Sequence, residues 1–551
     1  MTSVVNYAYD KNVIAKIKEW HYGTNWPSVY IIYNSKNAYV GETLDAVRRT
    51  EQHLQETEFE GFTDICLISN KTFNKSVVLD LESFLIKYMG AEGSKKLING
   101  NAGVVNHNYF YREAYEDDFK DIWQILIKCG IVKKGLLDIE NSELFKFSPY
   151  KTLTHEQQSA TYEILKRLYM VNSATKETMI QVIGGAGTGK TILAVYFVKL
   201  LADINRNKKV WQAIDDAELS DLIRHLSAKM DGIRKIGFVV PMRELRDTMK
   251  KIFKSIDGLS DEMVLAPEEV VKQYYDVLIV DEAHRLYRRH HLPGAHLYQK
   301  FDRINQSLML EQFSRDVSAY TELDWVIRSS RLQIIFYDEL QSIRATDIDK
   351  ARFDEICRPH LFAYYKLYSQ MRCKGGNGYY DYIKDILEKE NLTIRNYKKI
   401  SNYQAKVVDN IDELFSIIHD KDKEEGLCAV VCGPGWGIEE DIVIENRTYH
   451  WATSSKKKEM NTILSIHKSQ GFDLNYAGVI FGKEIYFDNE KKRIEVNSKE
   501  LMDSFTKSAG DDSMRQYLLN IYLTLMTRGI NGTYVYAVDE NLREYLKNYL
   551  N

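Results

Sequence analysis

One stretch limits the fold more than any other: Met179-Ile-Gln-Val-Ile-Gly-Gly-Ala-Gly-Thr-Gly-Lys-Thr191, an apolar strand running into a glycine-rich turn and then the helical run ILAVYFVKLLAD. The spacing Gly184-x-x-x-x-Gly189-Lys190-Thr191, with Gly187 between, lets successive backbone N–H groups curl around an anion. The helix that follows turns its positive dipole end to the same point. Lys190 would reach the outer phosphates of a nucleoside triphosphate such as ATP, and the Thr191 hydroxyl would ligate Mg²⁺. Strand, turn and helix in this order belong in a parallel α/β sheet.

A second strand supports this reading. Tyr274-Tyr-Asp-Val-Leu-Ile-Val-Asp281-Glu282-Ala-His284 delivers two carboxylates at a strand end, Asp281 to hold Mg²⁺ and Glu282 to activate the attacking water. Short apolar strands alternate with helical runs from about Ser148 (MIQVIGG, KIGFVV, DVLIVDE, LQIIFYD) and again from about Arg358 (LCAVVCG, NTILSIH, YAGVIF, TYVYAV). Before them stand SVYIIY and AYVGE in a separate block, then an amphipathic helical stretch, EAYEDDFKDIWQILIKCGIV. The division expected is 1–113 for the N-terminal domain, 114–147 for a helical connection, 148–357 for the first α/β lobe and 358–551 for the second.

Composition narrows the class. A chain of 551 residues exceeds one ordinary core, and 44% apolar with 28% charged residues is a globular balance. No run approaches membrane-spanning length, and MTSVVNYAYDKNVIAK is no secretory signal, so a cytoplasmic protein without membrane contact is expected. Of six cysteines only Cys428 and Cys432 are close, and they flank AVV in what reads as a buried strand. A net charge of −4 excludes a blanket of positive charge but leaves room for a basic cleft.

In motif order, the chain from Leu153 onward resembles the superfamily-one helicases, and within them the Schlafen-like helicase domains. The resemblance implies two tandem RecA-like lobes. Leu153-Thr-His-Glu-Gln157 is similar to the motif whose glutamine reads adenine, and Phe238-Val-Val-Pro-Met-Arg243 to the first nucleic-acid contact. Phe336-Tyr-Asp338-Glu-Leu-Gln341 resembles the γ-phosphate sensor, although the usual glycine before the aspartate is missing. In the second lobe, Leu367-Tyr-Ser-Gln-Met-Arg372 resembles a phosphate-contacting motif. Ile466-His467-Lys-Ser469-Gln470-Gly471-Phe-Asp473 is similar to the link between ribose and strand, with His467 and Ser469 toward nucleic acid and Asp473 toward the nucleotide. Tyr522-Leu-Thr-Leu-Met-Thr527-Arg528-Gly529 would carry the arginine finger, Arg528. Two arginines on a closing lobe would couple hydrolysis to lobe motion. The basic tract Lys456–Lys458 reads as a solvated face.

The N-terminal block resembles the GIY-YIG nucleases on Ser28-Val-Tyr30-Ile-Ile-Tyr33, Tyr39-Val-Gly41, Arg49, His53 and Glu82, with Ser28 in place of the first family glycine. The resemblance implies that Glu82, opening the helix Leu81-Glu-Ser-Phe-Leu-Ile-Lys87, holds one Mg²⁺ or Mn²⁺. Arg49 would neutralise phosphoryl charge, and Tyr30, or else Tyr39, would take the water proton. Asn99 and Asn101 both stand where a family asparagine is expected. Together the domains suggest an ATP-dependent nucleic-acid motor coupled to a metal-dependent endonuclease in bacterial antiphage defence or restriction, DNA being favoured over RNA and a partner protein of the same system possible. A repair helicase-nuclease and a non-cleaving ATP-dependent switch are the alternatives.

Overall fold

The computed structural model describes residues 2–99, 109–149, 153–170, 178–206, 217–229, 234–290, 292, 294–308, 320–339, 346–390, 403–437, 441–452, 461–465, 474–501 and 511–551. They gather into two compact units interleaved along the chain: Met1–Thr178 with Thr191–Val280 and Ser329–Gln333, and Met179–Lys190 with Asp281–Arg328 and Ile334–Asn551. No helix among the described residues is long and apolar enough to cross a membrane.

The first unit begins with a five-stranded sheet of β1 (Ser3–Ala8), β2 (Ser28–Tyr33), β3 (Asn37–Thr43), β4 (Asp64–Ser69) and β5 (Lys96–Leu97), in the order β1-β4-β2-β3-β5. β2 lies at its centre, antiparallel to both β3 and β4, and SVYIIY is buried along nearly its whole length. That is why the segment is apolar without a polar alternate. Tyr30 stands opposite Gly41, where a Cβ would lie 2.2 Å from the Tyr30 hydroxyl, so only glycine lets the ring cross the neighbouring strand. Ser28 is fully buried and donates its hydroxyl to the Trp26 carbonyl at 3.3 Å. The Asn99 side chain clasps Val40, donating to its carbonyl at 2.7 Å and accepting from its N–H at 3.0 Å, which extends the edge of β3. Helix Ala46–His53 is capped by Asp45, and helix Lys75–Glu92 by Asn74. Glu82 falls in the middle of that second helix and does not open it, because the cap stands eight residues earlier.

The amphipathic stretch forms helix Arg112–Lys128 with Phe119, Ile122, Trp123 and Leu126 buried, the spacing of one helical face. Later in the same unit β7 (Ile236–Val239) lies parallel to β8 (Val264–Leu265) and β9 (Tyr275–Val280), ahead of which runs β6 (Thr178–Gly184) in chain order.

β10 (Ser330–Tyr337) follows in chain order, and in the second unit β11 (Leu361–Leu367) pairs parallel with β6 in the register Leu367↔Gly184. β11, which the expected boundary at 357/358 places in the second lobe, thus pairs in the sheet of the glycine turn. A strand's partner is chosen by hydrogen bonding across the sheet, and β11 returns to the strand before the glycine turn. β12 (Gln404–Val407), β13 (Ala429–Cys432), β14 (Ile442–Ile444), β15 (Arg447–Trp451), β16 (Thr462–Ser465), β17 (Leu474–Phe481) and, beyond the hairpin of β18 (Ile485–Asp488) and β19 (Arg493–Val496), β20 (Gly529–Ala537) form a seven-stranded sheet. Its order is β12-β20-β17-β13-β16-β15-β14, parallel throughout except at β14–β15. Both faces are covered. Val431, Val479 and Val535 enter one apolar cluster, while Val430, Ile480 and Tyr534 enter the other. This is the two-residue period of strands buried on both sides. Cys428 and Cys432 lie in this core, as their sequence suggested.

At the carboxyl ends of β13 and β17, Glu484 is fully buried, and Tyr522 donates its hydroxyl to the carboxyl group. A Cβ at Gly435 would approach a Glu484 carboxyl oxygen to 1.9 Å, so the glycine turn Gly433-Pro-Gly435 is shaped around this acid. Burial pushes the Glu484 carboxyl from 4.5 up to about 7, against the lowering effect of the Tyr522 bond. A raised folded-state pKa contributes stability that is full below 4.5 and is lost as pH rises through about 7. Glu484→Gln, isosteric with the neutral acid, is expected to remove this loss. Its stability relative to wild type should rise between pH 5 and 8, by at most roughly 3 kcal/mol. Denaturant unfolding at several pH values checks this, and parallel pH curves for the two proteins would refute it.

Candidate functional site

In the second unit, β6 hands the chain to the turn Gly184–Gly189, with positive φ at Gly187 (+79°) and Gly189 (+80°), and Lys190 opens helix Lys190–Asn205. The Lys190 ammonium is buried. It donates to the Gly184 carbonyl at 2.8 Å, the Gly185 carbonyl at 2.8 Å and the Asp338 carboxylate at 2.9 Å. Asp338 itself is fully buried at the end of β10. The segment after β11 lies against the same turn. Gln370 donates its side-chain amide to the Ala186 carbonyl at 2.6 Å, and the Met371 N–H bonds the Gly187 carbonyl at 2.8 Å. A Cβ at Gly187 would meet Gln370 at 1.9 Å, a second reason for glycine there. The Arg372 N–H in turn bonds the Gln370 side-chain oxygen at 2.9 Å. Beside the turn is a cavity of about 380 Å³ that Gly184, Gly185, Asp338, Lys366, Gln370 and Tyr380 help to line.

Asp281 and Glu282 follow β9. Asp281 is fully buried, a hard oxygen donor of the kind Mg²⁺ accepts beside phosphate oxygens. Glu282 takes the left-handed conformation (φ 51°), rare for a non-glycine residue. Its carboxylate pairs with His284 at 3.0 Å. Burial works to raise the Glu282 carboxyl, but His284, Lys190 and Arg285 outweigh it and hold it well below the usual range, so it is ionised. Arg528, between helix Asp511–Met526 and β20, is buried to 2% exposure.

In the first unit, Thr191 continues the helix begun by Lys190. Arg243 opens helix Arg243–Ser255 and projects into solvent, its side chain 87% exposed. Gln157 is buried and forms a reciprocal cap with Thr154: the Thr154 N–H bonds the Gln157 oxygen at 3.1 Å, and the Gln157 N–H bonds the Thr154 hydroxyl at 3.2 Å. Gln341, His467, Ser469, Asp473, Asn101 and Lys456–Lys458 lie outside the described residues.

A separate cluster forms in the N-terminal sheet of the first unit. Tyr30 from β2, Tyr39 from β3, and Arg49 and His53 from one face of helix Ala46–His53 come together. The Tyr30 hydroxyl lies 2.8 Å from His53 Nε2, and Arg49 Nε donates to the same oxygen at 3.2 Å. The Tyr30 and Tyr39 rings are 6.2 Å apart, and Tyr39 meets His53 edge-on at 5.6 Å. Burial drives the Tyr30 phenol well above 10; Tyr39 and Glu82 add to this and Arg49 opposes it. Glu82, partly buried, also raises Tyr39, so its carboxylate is close enough for both phenols to feel its charge. One member was not anticipated: Glu56, whose carboxylate lies 2.9 Å from His53 Nδ1. Its signal was an acid three residues after a helix-terminal histidine.

Comparison with known proteins bears on the larger part of the chain. An uncharacterized protein of Saccharomyces cerevisiae, YPL245W, is 26% identical over 446 residues, covering 72% of this chain and 90% of its own length. Among solved structures, Bacteroides Pif1 bound to ssDNA aligns at 10% identity with a TM-score of 0.27, over 70% of this chain and 92% of that one. Mss116p bound to ssRNA and AMP-PNP aligns at 14% identity and a TM-score of 0.27, over 77% of this chain and 76% of that one. The family model described as Schlafen group 3, DNA/RNA helicase domain matches residues 177–539, from the strand of the glycine turn to the last strand of the second sheet. On this match the chain belongs to the Schlafen group 3 DNA/RNA helicase domain family, and is an ATP-binding protein of helicase type.

Proposed function

We propose that this chain is an ATP-driven nucleic-acid motor whose N-terminal domain is a GIY-YIG endonuclease. The observation that carries the nuclease half is the convergence of Arg49 and His53 within hydrogen-bond distance of the Tyr30 phenolic oxygen. In this reading Glu82 holds a single Mg²⁺ or Mn²⁺, which when bound supplies a positive charge for the scissile phosphate. Arg49 neutralises charge on the phosphoryl group, and Tyr30 receives the water proton, with Tyr39 packed beside it.

In the motor, Lys190 leaves its carbonyl and Asp338 partners for the β- and γ-phosphates, and the turn N–H groups bind the β-phosphate. Mg²⁺ is assigned to Thr191 and Asp281, the water to Glu282, and the γ-phosphate charge to Arg372 and Arg528. Gln157 would have to release part of its cap to read adenine. Gln341 and Asp473 are kept as nucleotide contacts, and Arg243, His467 and Ser469 as strand contacts, with DNA favoured over RNA. Antiphage defence or restriction, with a partner protein of the same system, is the setting we propose. Lesion-selective cutting would favour repair instead.

Lys190→Ala is expected to abolish ATP turnover, and turnover at the wild-type rate would overturn the assignment of the nucleotide site. Arg528→Ala should bind nucleotide within a few-fold of wild type yet hydrolyse it about 10³–10⁵ times more slowly; affinity falling as far as the rate would remove the finger role. A panel of single- and double-stranded DNA and RNA, with Mg²⁺ or Mn²⁺ and with or without ATP, reads the coupling. Cutting should vanish in Glu82→Ala and should respond to ATP only while Lys190 is intact. No cutting under any condition, with ATPase stimulated by one nucleic acid, would leave a non-cleaving switch.

A further inference from the structure

The phenol of Tyr30 poses a problem for the nuclease reading. Buried and pushed well above 10, it is a poor acceptor of the water proton unless its own proton has somewhere to go. We propose that Tyr30, His53 and Glu56 form a proton relay, in which Glu56 is a positioning residue that fixes the His53 tautomer needed to deprotonate Tyr30. The inference rests on the nuclease reading above.

His53 is 2% exposed, and burial lowers its pKa against the raising effect of Glu56, so the ring is neutral near pH 7. A neutral imidazole has one N–H and one bare nitrogen. The Glu56 carboxylate can only accept, so at 2.9 Å it requires the proton on Nδ1. Nε2 is then bare, and the hydrogen bond of 2.8 Å to Tyr30 runs from the phenol to the imidazole. Arg49 Nε–H, donating at 3.2 Å, offsets charge that develops on the phenolic oxygen. The ring cannot easily turn away, because Phe59 packs on it with centroids 4.2 Å apart and Tyr39 meets it at 5.6 Å. The titratable or charged groups facing His53 are thus Tyr30 and Tyr39 from the strands, Arg49 from its own helix, and Glu56 from the turn beyond it.

The step balances. The attacking water gives a proton to Tyr30 as Tyr30 gives its own to His53 Nε2, and the water oxygen bonds phosphorus while the bond to the leaving oxygen breaks. The leaving alkoxide takes a proton from solvent, and the proton held by the imidazolium returns to solvent. Glu56 stabilises that imidazolium and keeps its own charge, as the buried acid does in the serine-protease triad.

The test uses full-length wild type, Glu56→Gln and Glu56→Asp. ¹⁵N-histidine spectra, with His53 assigned through His53→Gln, should show protonated Nδ1 and bare Nε2 in wild type. Glu56→Gln should show mixed or reversed tautomers, because an amide can also donate. Cleavage by Glu56→Gln should fall about 10²–10⁴-fold, the scale of a tautomer error in a triad. Its acid limb should move to lower pH, since Glu56 no longer raises His53. Glu56→Asp should recover part of the rate, and the ATPase rate and unfolding midpoint should match wild type in both variants. Wild-type cutting with Glu56→Gln equally fast and an unshifted pH profile overturns this inference alone, as does an Nε2–H tautomer in wild type. No cutting by wild type overturns the nuclease reading, and the relay with it.

Discussion

A buried ammonium must be matched by acceptors, and around Lys190 that requirement organises much of the second unit. Two carbonyls of its own turn and the carboxylate of Asp338 surround it. An unpaired charge at this depth would be strongly destabilising, so β6, the turn and the end of β10 are held to one geometry by one group. The Gln370–Met371 segment braces the opposite side of the turn through Ala186 and Gly187, which ties β11 to the same point. Nucleotide would enter a turn already satisfied by protein groups. The affinity measured would be the intrinsic affinity less what it takes to undo those bonds.

The two candidate centres solve opposite electrostatic problems. The glycine turn presents N–H groups and a lysine to an anion, and its neighbouring acid, Glu282, is kept ionised by His284, Lys190 and Arg285 despite burial. The Tyr30 cluster starts from neutral groups in an apolar setting, where burial holds the phenol protonated and the imidazole bare. In the proposed reaction charge would arise there only transiently, beside the arginine and glutamate that flank the pair.

What could be read along the chain was whatever short-range pattern determines. The glycine turn, the Asp281-Glu282 strand, the amphipathic helix of 112–128 and the buried strand holding Cys432 each carry their signature within about a dozen residues. That Tyr30, Tyr39, Arg49 and His53 lie together was expected from a motif resemblance, with helix spacing adding only that Arg49 and His53 share one face. What failed depends on distant partners. β11 was assigned to the second lobe because its sequence is equally at home in either sheet, and only its register with β6 decides. Glu82 was placed at a helix start because the real cap, Asn74, is followed by a run with no acidic first turn. Glu56 was passed over because an exposed acid after a helix is common, and its meaning comes from what His53 does on its other side.

The pairing of β11 with β6 also bears on how the chain can be divided. β11 is the outermost strand of its sheet, and it covers the hydrogen-bonding edge of the strand that carries the glycine turn. A polypeptide ending at residue 357 would retain every residue of that turn and still expose a row of unpaired N–H and C=O groups along β6. Open edges of this kind recruit other chains. Solubility of a truncated form would then be governed by a strand that looks dispensable, and self-association would be the mark of a cut made ten residues too soon.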